Sequence, residues 1–178
     1  SVLNANNFNV STAKSNGSQL VSAANGGVLN FTGGTISSTP TQGMTLVYAA
    51  VLNSRVNLKD ATVVMQRGGA TSNINGVGLY IHGAASIIAD NTLIDISTLS
   101  GSLRVIGATA AQGNSGSQIQ LLNGSKINVV GGYSANYGGS YGVLLSGTGN
   151  NFTGSDSSVT VSRSSPTVSQ GVTGIQIQ

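Results

Sequence analysis

Residues 76–97 read GVGLYIHGAASIIADNTLIDIS, and this stretch decides the fold. It holds three short bursts of apolar alternation, at 76–80, 87–89 and 93–96, which Gly-Ala and Asp-Asn corners separate. Alternation over a few residues between turn formers is typical of short β-strands. Three strands within a unit of about thirty residues leave no room for the long strands of a hairpin repeat.

The same phrase recurs along the chain. A hydroxyl residue opens an apolar alternation in one series, and a glycine opens an apolar run in a second series. The first series is Thr35, Thr62, Thr92, Ser125 and Ser157, and the second is Gly43, Gly76, Gly142 and Gly171. A repeat of this length indicates that each unit is one turn of a structure that stacks on its neighbours.

Stacked turns of short strands require each strand to pair, parallel and in register, with its copy about 4.8 Å away. Val, Ile and Leu then point into a dry central column, while Ser, Thr and Asn point outward. Gly, Asn and Asp supply the positive φ angles of sharp corners, and parallel crossovers are almost always right-handed. The sequence therefore predicts an all-β, right-handed parallel β-helix of about six rungs, with three strands per turn and almost no helix.

The composition excludes several classes of function. Charged residues are 6% of the chain, there is no Glu, and the seven basic residues are scattered. Nucleic-acid binding needs cations clustered on one face, so we expect no nucleic-acid partner. Cysteine is absent, which removes disulfides and thiolate metal ligands. No apolar stretch reaches the length of a membrane span, and we expect no membrane insertion by this segment, no cofactor and no metal.

The even composition predicts one domain over residues 1–178. Residues 1–26 fit the repeat least well, and we interpret them as an opening rung or a cap. The sequence stops within an apolar alternation at 174–178, which leads us to expect a piece of a longer protein. Three excursions, at 68–73, 109–117 and 131–142, are interpreted as corners that have grown into loops.

Residues 75–93 resemble the rungs of pertactin-type passenger domains of Gram-negative autotransporters. The shared phrase is a glycine-led apolar run containing Leu79 and Tyr80, then a Gly-Ala corner, then an alternating strand that reaches Asp90, Thr92 and Leu93. Parts of the phrase return at 125–129 and 142–145, and the resemblance covers residues 27–178. It is specific for the fold rather than for a function. It implies a right-handed β-helix that is secreted or held at the cell surface after export across the outer membrane.

The expected function is therefore that of an extracellular binding module without catalytic residues. It would mediate adhesion or self-association, or capture a protein of the host cell surface or serum, through many weak contacts that add as avidity. Two other interpretations share the fold: a β-helical polysaccharide lyase or hydrolase, and a segment of a phage tail fibre.

Few residues suggest catalysis. His82 is the only histidine, and a catalytic triad is recognised by geometry, which composition does not supply. Asp90 and Asp95 could form the carboxylate pair of a glycosidase, but their spacing across a corner does not set the required separation. We interpret Asp90 as a turn residue and Asp95 as a solvated, outward strand residue.

The segment at 131–142 is the best candidate for contact with a partner. It places Tyr133, Tyr137 and Tyr141 among glycine, serine and asparagine, which disfavours a helix. Rigid aromatic anchors beside adaptable polar residues are typical of antibody-like recognition loops. The predicted ligand-binding residues are Tyr133, Asn136, Tyr137 and Tyr141. The alternative is a loop that folds back and buries its rings against the coil.

Overall fold

The computed structural model describes residues 1–13, 18–68, 75–100, 103–111, 116–134, 138–165 and 171–178. Within these ranges the chain is all β, with no helix, as the sequence predicts. The strands are β1 (Val2–Thr12), β2 (Gln19–Ala24), β3 (Val28–Ser38), β4 (Thr45–Ala50), β5 (Arg55–Lys59), β6 (Thr62–Arg67), β7 (Gly76–His82), β8 (Ser86–Asp90), β9 (Leu93–Thr98), β10 (Val105–Ala110), β11 (Gln118–Leu122), β12 (Lys126–Gly131), β13 (Tyr133–Ser134), β14 (Gly138–Leu145), β15 (Asn151–Gly154), β16 (Ser158–Arg163) and β17 (Val172–Ile177).

These strands pair in parallel and form three faces of a β-solenoid. The first face contains β5, β8, β11 and β15, and the second contains β6, β9, β12 and β16. The long strands β1 and β3 extend across both, so the two faces form one sheet. The third face is a separate sheet of β2, β4, β7, β10, β14 and β17, with β13 antiparallel to β14 at its margin.

The turns are not all built alike. Four turns have three strands each, from β5–β7 to β15–β17. In the two turns before them a single long strand, β1 or β3, supplies the first two faces without a break. The expectation of about six rungs with three strands each is thus slightly wrong, because only about four turns of the described chain have that form. The segment 1–26 contributes β1 and β2 to the same sheets as the later turns.

The core is a set of apolar ladders that run through the turns. Each ladder contains side chains that occupy the same position in successive strands. Val56, Ile87 and Ile119 are fully buried in register on the first face, and Val63, Ile94 and Ile127 are fully buried in register on the second. Removing this continuous apolar column from water is the main favourable term for the fold.

Asn and Asp residues form the corner between the first two faces, as the sequence predicts. Asp60, Asn91, Asn123 and Asp156 all have positive φ, between 46° and 52°. Asn and Asp tolerate this backbone better than other residues that carry a Cβ. Their side chains also connect the turns, because Asn91 Nδ2 donates to Asp60 Oδ1 at 2.6 Å.

The hydroxyl series is partly out of register. Thr35 pairs with Thr62, but Thr62 pairs with Leu93 rather than with Thr92. Ser125 aligns with Thr92, the residue before Leu93, and its side chain has a structural role there. Its buried Oγ accepts a hydrogen bond from the Thr92 N–H at 3.0 Å and lies 2.7 Å from the Leu122 carbonyl, to which it donates. The later members of the series therefore close the corner rather than open a strand.

The glycine series also has a different register from the predicted one. Gly76 aligns with Val105, and the glycines that align with one another are Gly78, Gly107, Gly142 and Gly174. Each is followed by an inward residue, such as Leu79 after Gly78, so two successive positions face the core and the alternation breaks once per turn. A Cβ on Gly107 would collide with Ile127 Cγ2 and lie 2.6 Å from the Gly142 carbonyl oxygen. The positions of this ladder are glycine because side chains from the second face of the next turn fill the space that their own side chains would occupy.

Replacing Gly107 with alanine should lower the free energy of unfolding by about 1–3 kcal/mol, the usual penalty for overpacking. Chemical denaturation followed by circular dichroism at 218 nm measures the change. Gly174→Ala is the matched control, because a Cβ on Gly174 would have no atom within 4 Å. Equal losses in the two variants would contradict the packing role of the ladder.

Candidate functional site

Three outward asparagines of the first face bond to one another. Asn4, Asn30 and Asn57 align on successive turns. Asn30 Nδ2 donates to Asn4 Oδ1, and Asn57 Nδ2 donates to Asn30 Oδ1, both at 2.7 Å. An amide ladder of this kind satisfies its own polar groups, which leaves less hydrogen-bonding capacity for a partner.

The outward side of the third face is aromatic and apolar instead. Tyr48 on β4 aligns with Tyr80 on β7, and their rings stack with centroids 5.4 Å apart and planes inclined at 23°. Val77, Ile106 and Leu144 form an apolar cluster beside them, against which Tyr80 and Tyr141 pack. The break in alternation at the glycine ladder creates this arrangement, because it turns Val77 and Tyr80, three residues apart, to the same side.

An arginine completes the surface. The Arg104 guanidinium carbon lies 4.9 Å from the centroid of the Tyr141 ring, within the range of a cation–π contact. Burial lowers the pKa of Arg104 from its ordinary value, and the neighbouring Tyr141 partly offsets this effect. The side chain remains charged, because a guanidinium group is not deprotonated in proteins.

His82 lies two residues after Tyr80 and points to the same side of the third face. It is half-buried, and its Nδ1 atom is buried without a hydrogen-bond partner. We call Tyr48, Val77, Tyr80, His82, Arg104, Ile106, Tyr141 and Leu144 together the tyrosine face.

The structure places only part of the predicted binding segment. Tyr133 lies in β13, where it pairs with Gly139, and Tyr141 lies in β14 as a member of the tyrosine face. Asn136 and Tyr137 lie outside the described residues. The segment interpreted as a loop thus contains strand residues at both of its ends.

Sequence reasoning missed Tyr48 and Tyr80 as site residues. Their separation of 32 residues matches one repeat and is a usable signal for alignment on one face. The break in alternation determines on which side of the sheet these two tyrosines lie, and the sequence pattern did not predict that break.

One buried charge lies outside the tyrosine face. Arg67 points into the corner between the second and third faces and is 1% exposed. Its Nη1 donates to the Arg104 carbonyl at 2.9 Å, while its Nε and Nη2 have no partner. Burial lowers the pKa of Arg67. A buried guanidinium that is only partly hydrogen-bonded opposes folding, so the neighbouring turns must hold it in place.

The carboxylates considered for catalysis lie on different faces. Asp90 ends β8 on the first face, and its Oδ1 accepts a hydrogen bond from Asn123 Nδ2 at 2.8 Å. Asp95 lies in β9 on the second face, half-buried and outward, as interpreted from the sequence. Within the described part of the chain, no group of three or more His, Cys, Asp or Glu side chains could hold a metal ion.

Comparisons of the chain with protein-family models, with curated proteins and with solved structures give no match. None of the described residues belongs to a helix long and apolar enough to cross a membrane.

Replacing Tyr80 with phenylalanine should raise the pH at which the protein unfolds in alkali. Burial, and to a lesser extent Tyr48, raise the pKa of Tyr80 above its ordinary value. The unfolded state therefore loses this proton at a lower pH than the folded state, and stability that is intact below about pH 10 is lost as pH rises through the folded pKa. Far-ultraviolet circular dichroism against pH measures the midpoint, with Tyr133→Phe as control. A midpoint at lower pH in the Tyr80 variant would contradict this linkage.

Proposed function

We propose that this chain is a segment of a right-handed β-helix of the autotransporter passenger type, displayed outside a Gram-negative cell, and that it binds a protein of the host surface or serum. The resemblance of residues 75–93 to passenger rungs supports the location. The right-handed coil is supported by the strong preference of parallel crossovers for that hand.

The tyrosine face is the observation that carries the binding function. Tyrosine and arginine are the residues most enriched at energetic centres of protein interfaces, together with tryptophan, which this chain lacks. Here three of the five tyrosines and one arginine lie on one face of the structure. Stacked rings on paired strands lose little conformational entropy when a partner covers them, which favours affinity.

The arrangement suits binding by repeated weak contact. A stack of paired strands holds the tyrosine face in a fixed geometry, and many copies on one cell surface would engage many copies of a receptor. Affinities that are modest singly then combine as avidity.

Replacing Tyr80 with serine and Arg104 with glutamine together should weaken binding to the partner by tenfold or more, because interface centres commonly contribute at least about 2 kcal/mol. Adhesion of coated beads to host cells and serum proteins identifies the partner, and surface plasmon resonance then measures its affinity.

Asn57→Ala is the control, since Asn57 lies on the first face within the asparagine ladder. A second variant, with only Tyr133 and Tyr137 changed to serine, separates the predicted loop from the tyrosine face, because Tyr141 belongs to both. Unchanged affinity in the Tyr80 and Arg104 variant, with its fold intact by circular dichroism, would refute binding through this face.

A further inference from the structure

A groove on the outward side of the second face has a different chemistry from the tyrosine face. It has a volume of about 510 Å³. Its polar lining includes Ser11, Ser37, Thr39, Gln66, Asp95 and Ser97, and we call this site the hydroxyl groove. Thr12, Ala13, Ser38 and Val64 complete the lining. The lining crosses four turns, because Ser11 pairs with Ser37, Ser37 with Val64, and Val64 with Asp95.

The polar groups of the hydroxyl groove are largely uncommitted. Ser97 Oγ donates to the Met65 carbonyl at 3.2 Å. Ser38 Oγ donates to the Thr12 carbonyl at 2.9 Å. Across the described ranges, the side chains of Ser11, Ser37, Thr39, Gln66 and Asp95 make no hydrogen bond to another described residue. This contrasts with the asparagine ladder of the first face and with the corner at Asp60 and Asn91, where the side chains bond to one another. The groove therefore presents hydroxyl, amide and carboxylate groups that a ligand could use.

The charge of the lining restricts the ligand. Among the described residues, the lining has one carboxylate and no lysine or arginine, so its charge disfavours an anionic ligand. A single carboxylate among hydroxyls is also too few oxygen ligands to hold a calcium ion. What remains is a neutral ligand rich in hydroxyl groups, whose donors Asp95 and Gln66 can accept and whose acceptors the Ser and Thr hydroxyls can satisfy.

The repeat of the groove favours a chain over a single small molecule. Its aligned outward positions Ser11, Ser37, Val64 and Asp95 follow one another at the strand spacing of about 4.8 Å. This spacing is close to the length of one pyranose ring. Val64 supplies an apolar patch between the polar positions, against which the C–H face of a sugar could pack. We propose that the hydroxyl groove binds a neutral polysaccharide along the axis of the stack, with about one sugar per turn.

Isothermal titration calorimetry of the whole chain tests this with neutral tetrasaccharides and hexasaccharides of glucose, mannose and xylose, and with uronic acid oligosaccharides of the same length. At least one neutral hexasaccharide should bind, more tightly than its tetrasaccharide, while the uronic acid series should bind more weakly. Asp95→Ala should lower the affinity at least tenfold, because Asp95 is the only charged hydrogen-bond acceptor in the groove.

Asn128→Ala is the matched control, because Asn128 pairs with Asp95 on the next turn but does not line the groove. It should leave saccharide affinity unchanged. The proposal is overturned if no neutral oligosaccharide binds, if the uronic acid series binds best, or if Asp95→Ala binds as tightly as the unaltered chain. Protein binding through the tyrosine face should be unaffected by Asp95→Ala, so the two sites fail or succeed independently.

Discussion

Parallel, in-register pairing of each turn with the next is the constraint on which the rest of this structure depends. A strand within the stack is paired on both edges, so its backbone donors and acceptors are used without regard to its sequence. What each turn must supply is apolar side chains at most of its inward positions. Val56, Ile87 and Ile119 meet that requirement on the first face, and Val63, Ile94 and Ile127 meet it on the second. Turns that meet it can differ in corner length and in outward residues without disturbing their neighbours.

The same constraint explains where the chain uses glycine, asparagine and aspartate. A sharp corner repeated in each turn forces a left-handed backbone at equivalent positions, and Asp60, Asn91 and Asn123 occupy it. The inward glycine ladder has a different origin. Two adjacent inward positions on the third face leave space for only one side chain, since Ile127 and Val129 of the next turn already fill the space beside Gly107. Losing that side chain costs buried area but allows the third face to bend around the core.

Much of the fold could be predicted from the alternation within residues 76–97, because a period of two and turn residues at corners follow directly from strand geometry. The exact register could not. Gly76 and Gly78 both precede apolar residues, and only contacts across turns distinguish the glycine that must lack a side chain. Tyr141 was identified for its neighbours in the sequence, whereas Tyr48 and Tyr80 are brought to it by the stack. Arg67 occupies an inward position, where the alternation predicts an apolar residue, but its side chain is charged. Periodicity therefore did not predict a buried arginine there.

In a scaffold of this kind, functional residues lie at positions that neither the core nor the corners require. Inward positions are required by the core and corner positions by the backbone, which leaves the outward positions free to vary. Some of these also become committed, as when Asn4, Asn30 and Asn57 bond to one another. The other outward groups include aromatic rings and a guanidinium on the third face, and hydroxyls with one carboxylate on the second. These two surfaces differ in polarity and lie on different sheets. One rigid coil can therefore offer surfaces of different chemistry to two different partners.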